Sequence, residues 1–274
     1  MKDAAYITKC VILARGLGTR MRRQEAGVAL DASQSAAADT GLKAMIPVGR
    51  PFLDYVLSGL ADAGFQQVCL VIGPEHEAVR EYYATTVRPR RIQLDFAIQQ
   101  EPLGTANAVL AAEEFGATDQ FLVINSDNYY PPEALSSIQS LRQPGTVLFP
   151  AEALVSKSNI PEERIRAFAY CVVDRDGFLA NIVEKPDSVK TAHLEAEKLV
   201  SMNCWRFGPV IFDACREVPR SSRGEYELPQ AVRLAMRRGV KFKVAICGTG
   251  VLDLSRRSDI AEVATRLHNV EVHL

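Results

Sequence analysis

No apolar run in this sequence approaches the ~20 residues needed to cross a bilayer, and the opening M-K-D-A-A-Y lacks the apolar core of a secretory signal. Membrane insertion and export are not expected, and the compartment the sequence points to is the cytoplasm. Excess charge is missing too, since 32 Lys and Arg stand against 33 Asp and Glu for a formal net charge of -1. A chain without a long-range field is poorly suited to DNA, RNA or an anionic membrane, so an anionic ligand must be held by a few local cations. Cysteine is sparse and scattered. Cys10, Cys69, Cys171, Cys204, Cys215 and Cys247 sit singly in or beside apolar runs, with no C-x-x-C pair and no nearby histidine cluster. That argues against a zinc site and for reduced core residues. No internal repeat is visible, and nothing is low in complexity beyond one alanine-rich stretch.

What is present is enough apolar material, 47% of 274 residues, to bury a full core, which favours one domain spanning 1–274. The stretch Cys10 to Arg20, C-V-I-L-A-R-G-L-G-T-R, is an apolar run the length of one buried strand that empties into Gly16-x-Gly18-Thr19-Arg20. Glycines after a strand let the backbone approach a ligand, and the N–H groups of such a turn attract phosphate. A purely structural strand-to-helix turn reads equally well here. Met21 stands where a dinucleotide fingerprint needs its third glycine, and no Gly-Lys-Ser/Thr follows to make a Walker A loop.

Residues 22–42 are small and polar without clear periodicity and read as a long mobile loop or lid, a length uncommon in compact domains unless functional or disordered. Lys43-Ala-Met-Ile-Pro47-Val reads as a short extended piece carrying a cation. Pro51 then opens a helix whose stripe is Leu53, Val56, Leu57 and Leu60, closed by Gly64. Val68 to Ile72 has the continuous apolar pattern of a central parallel strand, followed by a helix from Glu75 and a strand Ile92 to Ile98. Gln99 to Ala108, Q-Q-E-P-L-G-T-A-N-A, turns into a helix with Thr105 as its expected cap. Strand Gln120 to Ile124 ends in Asn125-Ser126-Asp127-Asn128, where polar residues at a strand's carboxyl end are candidates for chemistry, although Asp127 could equally form an Asx turn or cap the next helix. The second half begins with a hairpin, Phe168 to Val173 and Phe178 to Val183 around D-R-D-G, running into Glu184-Lys185-Pro186. A polar helical insert from Asp187, a strand Ser201 to Phe207 holding Asn203, two helices, a strand Lys241 to Cys247 and a closing helix from Ser258 complete the chain. The alternation predicts an α/β fold: a doubly wound, mostly parallel, Rossmann-like sheet flanked by helices, with a small β-hairpin subregion.

In order along the chain stand L-A-R-G-L-G-T-R-M, Lys43-Ala-Met-Ile-Pro-Val with R-P-F-L-D-Y, Q-Q-E-P-L-G-T-A, N-S-D, V-E-K-P, M-N-C-W-R-F and G-V-L-D. Together they resemble the sugar-1-phosphate nucleotidyltransferases of the nucleoside-triphosphate transferase superfamily. The resemblance implies a nucleotide-binding half over about 1–150, an acceptor-binding half over about 151–274, and attack of a sugar phosphate on the α-phosphorus of a nucleoside triphosphate. It implies that Leu13, Ala14, Arg15, Gly16, Gly18 and Thr19 cradle the nucleotide, that the cations Arg20 and Lys43 serve catalysis at the phosphates, and that Gln99, Gly104 and Thr105 sit at the base. Asp127 and Asp253 correspond to the ligands of Mg2+, with Asp127 also near the substrate, while Glu184, Lys185 and Asn203 correspond to contacts with the sugar phosphate. Gln99 leans toward UTP or dTTP, whereas E-P-L-G-T-A also resembles guanylyltransferases and keeps GTP open; a homo-oligomer is open too. Arg15 departs from the family, which has glycine or alanine there, and Cys171 replaces a glycine of the sugar pocket. A catalytically silent nucleotide-sugar sensor and a GT-A type glycosyltransferase are the alternatives, the latter disfavoured because Asn125-Ser126-Asp127 lacks the first carboxylate of D-x-D.

Overall fold

The computed structural model describes residues 6–183 and 198–274. Strands β1 (Lys9–Leu13), β2 (Gln67–Ile72), β3 (Gln93–Ile98), β4 (Phe121–Asn125), β6 (Gly145–Pro150), β9 (Leu199–Phe207) and β10 (Lys243–Ile246) form the main sheet in the order β10-β6-β9-β4-β1-β2-β3. A hairpin of β7 (Tyr170–Val173) and β8 (Leu179–Val183) joins it through β9, and β5 (Asn128–Tyr129) pairs with β11 (Leu252–Asp253) in a separate two-stranded ribbon. Pairing is parallel from β4 through β1 and β2 to β3 and again between β6 and β10. Strand β9 runs antiparallel to β4 and β6, and the hairpin joins through β7, which is antiparallel to β9 and so runs with the parallel strands, while β8 runs against them.

Helices cover both faces, and the strand sequences show why. In β1, Cys10 and Ile12 pack into one core while Val11 and Leu13 pack into the other; in β2, Val68, Leu70 and Ile72 alternate in the same way with Cys69 and Val71. A strand with two apolar faces must be covered twice, which is why these runs read as continuous rather than alternating. The winding reverses at β1, whose neighbours are β4 on one side and β2 on the other, so its carboxyl end is the switch point where a crevice opens.

The sequence expectation for 22–42 needs correction. Thr19–Arg22 and Ala32–Thr40 are helices, the second fixed by a capping box in which Asp31 Oδ1 accepts from the Gln34 amide at 2.8 Å and Gln34 Oε1 accepts from the Asp31 amide at 3.3 Å. Only Ala38 of this helix is buried, so no apolar stripe announces it. Lys43–Met45 is a 3₁₀ turn rather than an extended piece, closed by the Ile46 amide donating to the Lys43 carbonyl at 3.1 Å. Glu184, Lys185 and most of the insert expected from Asp187 lie outside the described residues.

All six cysteines are free and buried. Burial pushes the Cys69, Cys171 and Cys215 thiols up to about 12, which keeps the reactive thiolate scarce at neutral pH. The folded protein should therefore react negligibly with a colorimetric thiol reagent on the time scale of minutes, and denaturant should release all six; rapid modification of a native thiol would contradict this packing.

Candidate functional site

The crevice begins where β1 stops. The ladder continues on both sides of its end, with the Ala14 amide donating to Val71 O at 2.9 Å and the Ser126 amide to Leu13 O at 3.1 Å, so the turn that follows is held at the centre of the sheet. Gly18 takes the left-handed conformation with φ 60°, and a Cβ there would stand 2.1 Å from the Gly41 carbonyl oxygen. Gly41, at φ 74°, ends the helix Ala32–Thr40 and has equally little room. Two glycine backbones in contact thus tie the glycine turn to the segment that delivers Lys43. Gly16 faces open space.

A cleft of about 460 Å³ runs along this turn. Its wall carries Leu13, Ala14, Arg15, Gly16, Gly18, Thr19, Arg20, Lys43, Gln99, Gly104, Thr105 and Asp127, so twelve expected residues share one cavity. Lys43 Nζ donates to Asp127 Oδ2 at 2.7 Å, with both side chains about one fifth exposed. Burial opposes the Lys43 charge, but Asp127 and, more weakly, Asp253 outweigh it and hold the ammonium above its ordinary pKa. Asp127 stands in the turn between β4 and β5 and does not cap the helix that follows; its carboxylate faces the cleft. Thr105 is corrected as well. Gly104, at φ 106°, caps the helix Thr105–Ala111, and the Thr105 hydroxyl instead accepts from the Leu228 amide at 2.9 Å, capping the helix Leu228–Arg237.

Asp253 does not line the cleft but adjoins it. It pairs with Asn128 across the β5–β11 ribbon, and the Leu254 amide donates to the Asp127 carbonyl at 2.8 Å. Its buried carboxylate accepts from Arg164 Nη2 and from Asn128 Nδ2, the latter at 3.2 Å, while Arg164 Nη1 donates to Asp259 Oδ1 at 2.7 Å. Burial and then the Asp127 charge raise the Asp253 pKa, and Arg164 acts the other way. Asn203 lies elsewhere: at φ 57° in β9, its Oδ1 accepts from the Trp205 indole at 3.3 Å. Among the described residues, no group of three or more His, Cys, Asp or Glu side chains is gathered to hold a metal. The sequence reading missed Arg164 and also Asn107, whose Oδ1 accepts from Gln99 Nε2 at 2.8 Å.

These features define a class. The family model "Nucleotidyl transferase" matches residues 37–269, and the chain belongs to that family, which bears out the resemblance carried by the motifs. Among relatives, the UTP–glucose-1-phosphate uridylyltransferase AglF of Haloferax volcanii is 26% identical over 260 residues, covering 94% of this chain and 96% of that protein. A glucose-1-phosphate thymidylyltransferase of Streptomyces griseus is 26% identical over 258 residues, but the chain spans only 64% of its length. A UDP-glucose pyrophosphorylase solved with UDP-glucose superposes with a TM-score of 0.72 at 18% identity, over 97% of this chain and 100% of that one, and so shares the fold.

Replacing Arg164 by Met would leave two buried carboxylates without their cation, a loss of about 3–5 kcal/mol. Thermal unfolding should shift down by about 10 °C for a chain of this size, and an unchanged midpoint would show that the Asp253–Arg164–Asp259 cluster does not hold the ribbon in place.

Proposed function

We propose that this protein is a sugar-1-phosphate nucleotidyltransferase, coupling a nucleoside triphosphate (UTP, dTTP or GTP) with a sugar 1-phosphate to give a nucleotide-sugar and pyrophosphate, with Mg2+ as cofactor. The observation that carries this reading is the shared cleft, in which the glycine turn, Arg20, Lys43 and Asp127 line one cavity. A sugar-phosphate oxygen attacks the α-phosphorus, the bond from that phosphorus to the oxygen of the β-phosphate breaks, and pyrophosphate leaves with the electron pair. Such a step needs positioning and neutralisation of negative charge more than covalent help.

Lys43 fits the second need as a fixed charge, because a raised pKa keeps it protonated at neutral pH and unsuited to proton transfer. Arg20, at the exit of the turn, adds a permanent cation, and the turn's N–H groups offer further dipoles to phosphate. Asp127 and Asp253 supply hard carboxylate oxygens from backbone segments bonded side by side, and Mg2+ is commonly held by one or two carboxylates together with substrate phosphates, so the donor set suits that ion. Once bound, it would neutralise charge on the triphosphate. Glu184 and Lys185, which lie outside the described residues, and Asn203 on β9 are assigned to the sugar phosphate by the motif resemblance alone.

The test is a matrix of nucleoside triphosphates against sugar 1-phosphates with MgCl2 and pyrophosphate detection. At least one pair should release pyrophosphate only when both substrates are present, and Asp127→Asn should lower that rate by at least ~10²-fold. Sugar transfer from a nucleotide-sugar without pyrophosphate chemistry, or tight product binding with no turnover on any pair, would overturn the assignment.

A further inference from the structure

Arg15 lines the cleft, and the chemistry above makes no use of its guanidinium. Its side chain is only 8% exposed, and its Nε and Nη1 are buried without a hydrogen-bond partner. Nη2 alone is engaged, by Glu75 Oε2 at a long 3.3 Å. A buried guanidinium with donors left over costs free energy unless something else satisfies them, and this one lines the cavity.

Its direction narrows the candidates. The phosphate end of the cleft lies toward β4, where Lys43 meets Asp127. Arg15 turns the other way and lies across Gly73 at the end of β2, where an added Cβ would stand 2.4 Å from its Nε. Beyond β2 is β3, which Gln99 follows, its amide donating to Ile72 O at 2.9 Å. Glu75 beside the guanidinium would repel a phosphate, so the missing partner is a neutral acceptor. Gln99 supplies the complementary half of the pattern. Both hydrogens of its side-chain amide are used, on Gly104 O at 3.0 Å and Asn107 Oδ1 at 2.8 Å, which locks the amide and leaves Oε1 as an acceptor.

We propose that Arg15 is a base-specificity residue that donates to a carbonyl oxygen of the nucleobase while Gln99 Oε1 accepts from the adjacent ring N–H. This inference rests on the nucleotidyltransferase reading. A fixed donor beside a fixed acceptor matches uracil, thymine and guanine, each with a carbonyl next to a ring N–H. Cytosine and adenine carry an amino group beside a ring lone pair, so both contacts would turn repulsive.

The experiment is binding of UTP, dTTP, GTP, CTP, ATP and inorganic tripolyphosphate, each with MgCl2, to the full chain and to Arg15→Ala and Gly73→Ala. The wild type should prefer a carbonyl base over CTP and ATP by about 10- to 100-fold, the range of one well-placed polar base contact. Arg15→Ala should reduce that preference to what Gln99 alone gives while leaving tripolyphosphate binding unchanged, and Gly73→Ala should do the same by displacing the guanidinium. The Tm of Arg15→Ala should not fall, since two unsatisfied donors disappear. An equal loss for every nucleotide and for tripolyphosphate would assign Arg15 to the phosphates and overturn the proposal, as would a lowered Tm with selectivity intact. Wild-type protein that binds tripolyphosphate with no base preference sinks this inference alone, whereas failure to bind any of the six probes sinks the nucleotidyltransferase reading with it.

Discussion

An ammonium and a carboxylate from positions 84 residues apart meet at the mouth of β1, and the ion pair of Lys43 with Asp127 organises what surrounds it. Each partner arrives by a different route. Asp127 is carried by β4, hydrogen-bonded directly to β1, while Lys43 reaches the same point because the Gly41 backbone rests against Gly18. A side chain at either glycine would push the two segments apart and the cation away from its partner. The cleft is therefore a product of backbone contact as much as of side-chain chemistry.

Charge around this pair is arranged in layers. Facing the cavity, Lys43 balances Asp127, with Arg20 beyond it; behind it, Arg164 stands between Asp253 and Asp259 and compensates two buried carboxylates with one guanidinium. Pairing of this kind in a low-dielectric setting contributes little net stability compared with apolar packing, but it fixes geometry, because a displaced partner leaves a buried charge exposed to desolvation cost. Such rigidity suits a step that depends on positioning. Arg15 breaks the pattern, since its charge is matched only by the half-exposed Glu75.

Much of this architecture was legible in the residues and some was not, for identifiable reasons. The runs of β1, β2 and β4 stand out because both faces of those strands are buried. The D-R-D-G turn of the hairpin is equally plain, and Asp174 Oδ1 accepts from the amides of Asp176 and Phe178 as such a turn requires. The helix Ala32–Thr40 escapes pattern reading because a single alanine packs inward, although its D-x-x-Q cap is visible in retrospect. The two-residue strands β5 and β11 are too short to leave a periodic mark, and the apolar core of β6, V-L-F, is only three residues long. In the site, ordered motifs locate the residues of the cleft wall. Arg164 belongs to no motif, and its partners lie 89 and 95 residues away, so only the folded chain reveals it.

Strand β9 carries a consequence for how the molecule is assembled. It lies between β4 and β6 and runs antiparallel to both, so the two parallel blocks of the sheet never touch directly. During synthesis the block built on β1 to β4 can form early, but β6, though already translated, has no seat beside it until residues up to 207 have emerged. The outer strand β10 must then wait for β6. The growing chain consequently passes through a stage with an open edge at β4, the hazard that late, long-range strand insertion imposes on folds of this connectivity.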